Sequence, residues 1–139
     1  MKQEKILAYK LRVDEKTGEI YKGYFEEIEN TLRAKQDFVG GTIQCLHLTN
    51  EIDMVCNDDG KLMGLPLNRV WFYESQPIDV VMGNILCVRH EGDEFTSIRE
   101  DDEPVILEQL RVCVAVDKDI LVALPNDCLI EYPKRNQKR

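Results

Sequence analysis

Long hydrophobic runs are missing from this chain. The longest candidate, Ile78 to Val88, is broken by Asp79, Gly83 and Asn84. It falls well short of the roughly 18 apolar residues a membrane helix requires, so a buried strand is expected there and no membrane partner. A secretory leader is not expected either, because the apolar run after Met-Lys-Gln-Glu-Lys soon meets Lys10, Arg12 and Asp14. Nucleotide-binding and protease signatures are also lacking: there is no P-loop, no dinucleotide glycine fingerprint and no HExxH. Val39-Gly-Gly41 lacks the further residues of a phosphate loop. Histidine is scarce, with His47 and His90 as the conventional imidazole bases, and neither sits in a nucleophile motif. A non-enzymatic protein with no cofactor and no assigned catalytic residue is the expectation. Positive charge is in deficit, 18 Lys and Arg against 26 Asp and Glu, for a net charge of −8. That argues against coating nucleic acid, which takes Lys and Arg to displace counterions from phosphate.

What is present suits one ordinary core. A chain of 139 residues with 43% hydrophobic content can bury one core, and a second would be hard to build. One domain over 1–133 is expected, with a basic tail over 134–139. Cys45, Cys56, Cys87, Cys113 and Cys128 are odd in number, scattered, and mostly within apolar strand-like runs. Reduced, buried thiols and a cytoplasmic setting are the reading.

The pattern along the chain predicts an α+β fold, mainly antiparallel sheet built from hairpins with one principal helix and a second short one. Ile6 to Val13 and Glu19 to Phe25 flank Asp14-Glu-Lys-Thr-Gly18, an opening hairpin. Glu26 to Phe38 reads as an amphipathic helix with Ile28 and Leu32 one turn apart, stopped by Gly40-Gly41. Thr42 to Leu48 and Glu51 to Asn57 form a strand pair. The second alternates Ile52, Met54 and Cys56 on one face with Glu51, Asp53 and Asn57 on the other. Asn57-Asp-Asp-Gly60 is a turn, and Lys61 to Arg69 a loop pinned by Leu62, Leu65 and Leu67. Ile78 to His90 is expected as one strand bent at Gly83. Ser97-Ile-Arg-Glu100 has capping-box spacing for a short helix that Pro104 should end or restart. A closing meander follows over Leu110 to Val116, Ile120 to Leu124 and Cys128 to Tyr132, with Asp117-Lys-Asp119 and Pro125-Asn-Asp127 as turns.

Val39-Gly-Gly41, Asn57-Asp-Asp-Gly-Lys-Leu-Met-Gly-Leu-Pro-Leu-Asn-Arg69 and Asp79-Val-Val-Met-Gly83, in that order and spacing, resemble the DUF3846 family. The similarity spans a core of about 26–98, with a β-rich extension over about 110–132. The resemblance implies a phage, prophage or conjugative-element setting and carries no activity with it.

Four residues are the candidate ligand set: Asn57, Asn68, Arg69 and Trp71. A guanidinium can clamp an anion, an amide can read a polar edge and an indole can stack on a base. The same residues would serve folding alone if Asn68 capped a turn, Arg69 lay on the surface and Trp71 filled the core. Cys45-Leu-His47 and Cys87-Val-Arg-His90 could supply zinc ligands, but buried thiols with incidental histidines are the favoured account, and no metal is assigned. Seven acids between Glu91 and Glu103 stand against Arg99 alone, a run that serves either as a solvated loop or as a DNA-like surface. The leading expectation is a counter-defence protein that sequesters a nucleotide-derived immune signal. The alternatives are an antagonist that binds a host protein through the acidic run, and a metal-dependent enzyme. A homo-oligomer paired through strand edges is also in view.

Overall fold

The computed structural model describes residues 4–118 and 120–133; Asp119 of the expected turn and the basic tail lie outside them. Twelve strands and three helices are named along the described chain, in the order β1 (Lys5–Leu11), β2 (Tyr21–Lys22), β3 (Tyr24–Glu29), α1 (Leu32–Val39), β4 (Ile43–His47), β5 (Ile52–Asn57), α2 (Gly60–Met63), β6 (Leu67–Tyr73), β7 (Gln76–Met82), β8 (Ile85–Glu91), β9 (Glu94–Thr96), α3 (Glu103–Gln109), β10 (Leu110–Asp117), β11 (Ile120–Leu124) and β12 (Ile130–Glu131). Strand dominates and nearly all pairing is antiparallel. One sheet runs β3-β1-β8-β5-β4 with β9 added to β8, a second runs β11-β10-β6-β7, and β12 pairs with β2 in parallel. No helix among the described residues is long and apolar enough to cross a membrane.

The larger sheet is covered on both faces. Tyr9, Leu11, Met54, Cys56, Ile85 and Cys87 pack on one side with Ile106 and Leu110. Ala8, Val55, Leu86 and Val88 pack on the other with Val39 and Phe38 of α1. β5 is therefore buried along its whole length. Its alternation is as the sequence predicts, but the polar face is covered too, by the end of α1 over Asn57 and by His47 and His90 over Asp53, so both are interior residues.

Several expectations give way to longer-range pairing. Glu26 to Glu29 is strand rather than helix, because Ile28 pairs with Ile6 and Glu26 takes the Lys10 ammonium at 2.7 Å. The helix starts only after Thr31, whose hydroxyl accepts from the Ala34 N–H, and it leaves Leu32 exposed. Gly40 ends it at φ 84°, as expected. The predicted loop is a single helical turn, α2, leading into β6, and Leu62 and Leu67 are exposed. The expected bent strand is two strands in different sheets. The chain reverses at Gly83, φ 82°, where a side chain would also press on Leu65. Pro104 does restart a helix, as one of the two expected outcomes: α3 opens on it after the short turn Glu100–Asp102, since an N-terminal turn has no use for its missing N–H. Ser97 is not a helix cap; its hydroxyl accepts from Leu7 N. The closing meander breaks at β12, which leaves the hairpin to join β2. The outer half of the β10–β11 hairpin exposes Val114, Val116, Ile120, Leu121 and Val122.

Candidate functional site

The three motif segments meet in space. Asn57 sends its amide to Val39 O at 3.1 Å and accepts from the Asp59 N–H at 2.8 Å, which ties the end of α1 to the turn before α2. Asn68 donates to Leu11 O at 2.9 Å and to Gly83 O at 2.8 Å, and its oxygen accepts from Arg69 Nη1 at 2.5 Å. Arg69 Nη2 donates to Tyr21 O at 3.0 Å. Asn68 and Arg69 are each 1% exposed, so Arg69 is neither a surface residue nor a free cation. Burial pulls its guanidinium down to about 10, which still leaves it charged at neutral pH. Trp71 donates from its ring to Gln109 at 3.1 Å.

The four expected ligand residues do not share one hollow. Asn57 and Trp71 line a pocket of about 330 Å³ with Lys61 and Asp79. Arg69 lines a different one of about 300 Å³ beneath Leu110, Arg111 and Asn126. Asn68 is spent entirely on the chain around it.

A larger cleft, about 750 Å³, lies between the opening hairpin and α1. Its walls include Val39 and Gly40 from the first motif segment, Leu65 from the second and Gly83 from the third. Asn84, delivered by the reversal at Gly83, holds Val13 N with its oxygen at 3.0 Å and Phe38 O with its amide at 3.2 Å. At the centre is Arg12, whose guanidinium carbon stands 4.7 Å from the Phe38 ring centre and 4.5 Å from that of Tyr132. Its Nε donates to the Tyr24 hydroxyl at 2.5 Å, while Nη1 and Nη2 bond no described residue. Tyr24 stacks on Tyr132 at 5.5 Å, and Tyr21 meets Tyr132 edge-on at 5.3 Å. Burial raises the Tyr24 phenol above its ordinary value against the opposing pull of Arg12, so it stays a neutral acceptor. Lys10 and Lys16 also line the cleft. Of its three acids, Asp14 is held by the Lys16 and Thr17 amides, which lower its pKa, Asp37 faces Arg33 at 3.6 Å, and Glu15 is exposed at the hairpin turn. A planar cation set against two rings, with two terminal nitrogens unspent among the described residues, can take a phosphate or carboxylate in bidentate fashion beside an aromatic surface.

The sequence reading missed Arg12 because it sits in an ordinary alternating strand, and the rings that frame it come from residues 24, 38 and 132. Of the five thiols expected to be buried, Cys56 and Cys87 are, Cys113 is half-buried, and Cys45 and Cys128 are exposed; the cysteine–histidine pairs do not converge. Cys87 is buried in the core beside Tyr9 and Met54, where burial pushes its thiol up, while His90 falls on the other face of β8. His90 instead meets His47 around Asp53.

The acidic run is partly internal. Asp102 takes Arg89 in a two-pronged bond at 2.8 Å and caps the Arg99 N–H, and Glu103 accepts the Tyr9 hydroxyl at 2.6 Å. That leaves Glu91, Asp93, Glu94, Glu100 and Asp101 for any partner. Arg89 holds the Asp102 carboxyl below its ordinary pKa. A carboxyl with a lower pKa folded than unfolded stabilises the fold above the ordinary carboxylate range. That contribution drains away as pH falls through the folded value. Urea midpoints taken from pH 7 to pH 3 should therefore fall less for Asp102→Asn than for the native chain. Parallel curves would show that the Arg89 pair contributes nothing.

Neither the search of curated proteins nor that of solved structures gave a match. A family model does: the one described as Domain of unknown function (DUF3846) matches residues 11–111, a span that takes in Arg12, α1 and all three motif segments, and the chain belongs to that family.

Proposed function

We propose that the protein binds a nucleotide-derived small molecule in the Arg12 cleft and holds it without turning it over, as a counter-defence accessory protein of a phage or mobile element. The observation that carries this reading is the Arg12 guanidinium, set against both the Phe38 and Tyr132 rings with Nη1 and Nη2 bonded to none of the described residues. Phosphate would take the guanidinium fork and Lys16, since Lys10 is already held by Glu26, and a base would stack on the half-buried rings. The volume, about 750 Å³, suits a mononucleotide or a compact dinucleotide. Sequestration needs affinity alone, so no catalytic group has to be found beside the cleft. The mobile-element setting comes with the family resemblance.

A thermal-shift panel of cyclic oligonucleotides, ADP-ribose derivatives and plain mononucleotides tests the reading. A ligand present at about 100 times its Kd should add about 2.7 kcal/mol and raise Tm by several degrees. A panel without a shift, together with no small molecule in the mass spectrum of the purified protein, overturns it.

A further inference from the structure

A second site lies at the opposite end of β5 from Asn57. Antiparallel pairing sets His47 of β4 directly across from Asp53 of β5, and His90 of β8 follows Arg89, the residue opposite Ile52. The three side chains fall on the face of the sheet that carries α1, because residues two apart on a strand share a face. His47 Nδ1 stands 2.6 Å from Asp53 Oδ1 and His90 Nδ1 stands 3.1 Å from the same oxygen, with the imidazole centres 5.2 Å apart. One ligand atom from each residue lies within 4.8 Å of the others. The Asp53 side chain is 6% exposed and that of His90 24%, whereas that of His47 is 70% exposed, which opens the group to solvent on one side.

We propose that His47, Asp53 and His90 form a binding site for a divalent transition-metal ion. Two imidazoles and a carboxylate are the donor set that zinc and its neighbours take, and three protein ligands leave coordination positions open to water or a small anion. Two ring nitrogens already converge on one buried carboxylate oxygen, so the three ligand groups are gathered before any ion binds. Arg89, the charged neighbour on β8, is committed to Asp102 and does not compete for Asp53. This site is separate from the Arg12 cleft and does not depend on the ligand reading given to that cleft.

Untagged full-length protein, stripped with chelator, loaded with zinc and dialysed, tests the assignment by metal analysis. The native chain should retain stoichiometric zinc, and cobalt in its place should give a visible spectrum of low coordination number. His47→Ala removes a largely exposed ring and leaves the His90 contact to Asp53 in place, so its metal-free unfolding midpoint should fall only a little. It and His90→Ala should each weaken zinc by more than the about 10–100-fold that loss of an outer partner costs. Failure of the native chain to retain zinc overturns the site and leaves a hydrogen-bonded clamp. Retention in both variants equal to the native chain overturns it too, because the ion then lies elsewhere.

Discussion

Replacing Asn68 with alanine should cost the fold about 3–6 kcal/mol, a large part of the about 5–15 kcal/mol that holds a domain of this size together. Three hydrogen bonds disappear at a position 1% exposed: those to Leu11 O and Gly83 O, and the one received from Arg69 Nη1. Each group left unpaired in the interior costs about 1–3 kcal/mol, because water does not reach it to replace what was lost. Part of the Arg69 guanidinium is left buried without its acceptor, which adds to the loss. The urea midpoint should drop steeply and the Gly83 reversal should loosen with it. An unchanged midpoint alongside lost ligand binding would place Asn68 in a recognition site instead of a brace.

Arg12→Ala should do the reverse. The side chain is half-buried and its hydrogen bond to Tyr24 lies at the cleft, so the unfolding midpoint should move little. Affinity for whichever nucleotide shifts Tm should fall by about 10–100-fold, the worth of one charge-assisted bidentate pair at about 1.5–3 kcal/mol. Arg12→Lys keeps the charge but loses the planar fork and the stacking between rings, so it should recover only part of that affinity. Isothermal titration of the three proteins settles the order. Equal affinity in all of them would remove Arg12 from the site.

The contrast between Asn68 and Arg12 shows what the sequence carried and what it hid. Local signals were read well where local chemistry decides: the opening hairpin, the β4–β5 pair, the Asn57 to Gly60 turn and the Gly40 stop all stand as expected. Signals failed where a distant partner overrode them. Glu26 to Glu29 looks helical by composition but pairs with β1, and Ile78 to His90 looks like one buried strand but divides between two sheets. The dense motif drew attention for a sound reason and to the wrong chemistry in part. Asn57, Asn68 and Gly83 are unusual in an apolar passage because they fasten three segments together, and Asn84 beyond them shapes the cleft floor. Arg12 has no local signature at all, since its meaning comes from rings 26 and 120 residues further along the chain. The histidine cluster is half legible: sequence spacing offers both imidazoles as metal ligands but pairs them with nearby cysteines, whereas the acid they meet, Asp53, is brought to them only by strand pairing.

Backbone amide NMR of the native protein, titrated with the nucleotide that raises Tm most, tests the central claim most directly. The account predicts that the amides of Arg12, Val13, Phe38, Asn84 and Tyr132 move together with one affinity, while those of Asn68, Arg69 and Asn126 stay still. Shifts centred on Arg69, Leu110 and Asn126, with the Arg12 cleft unmoved, would contradict it.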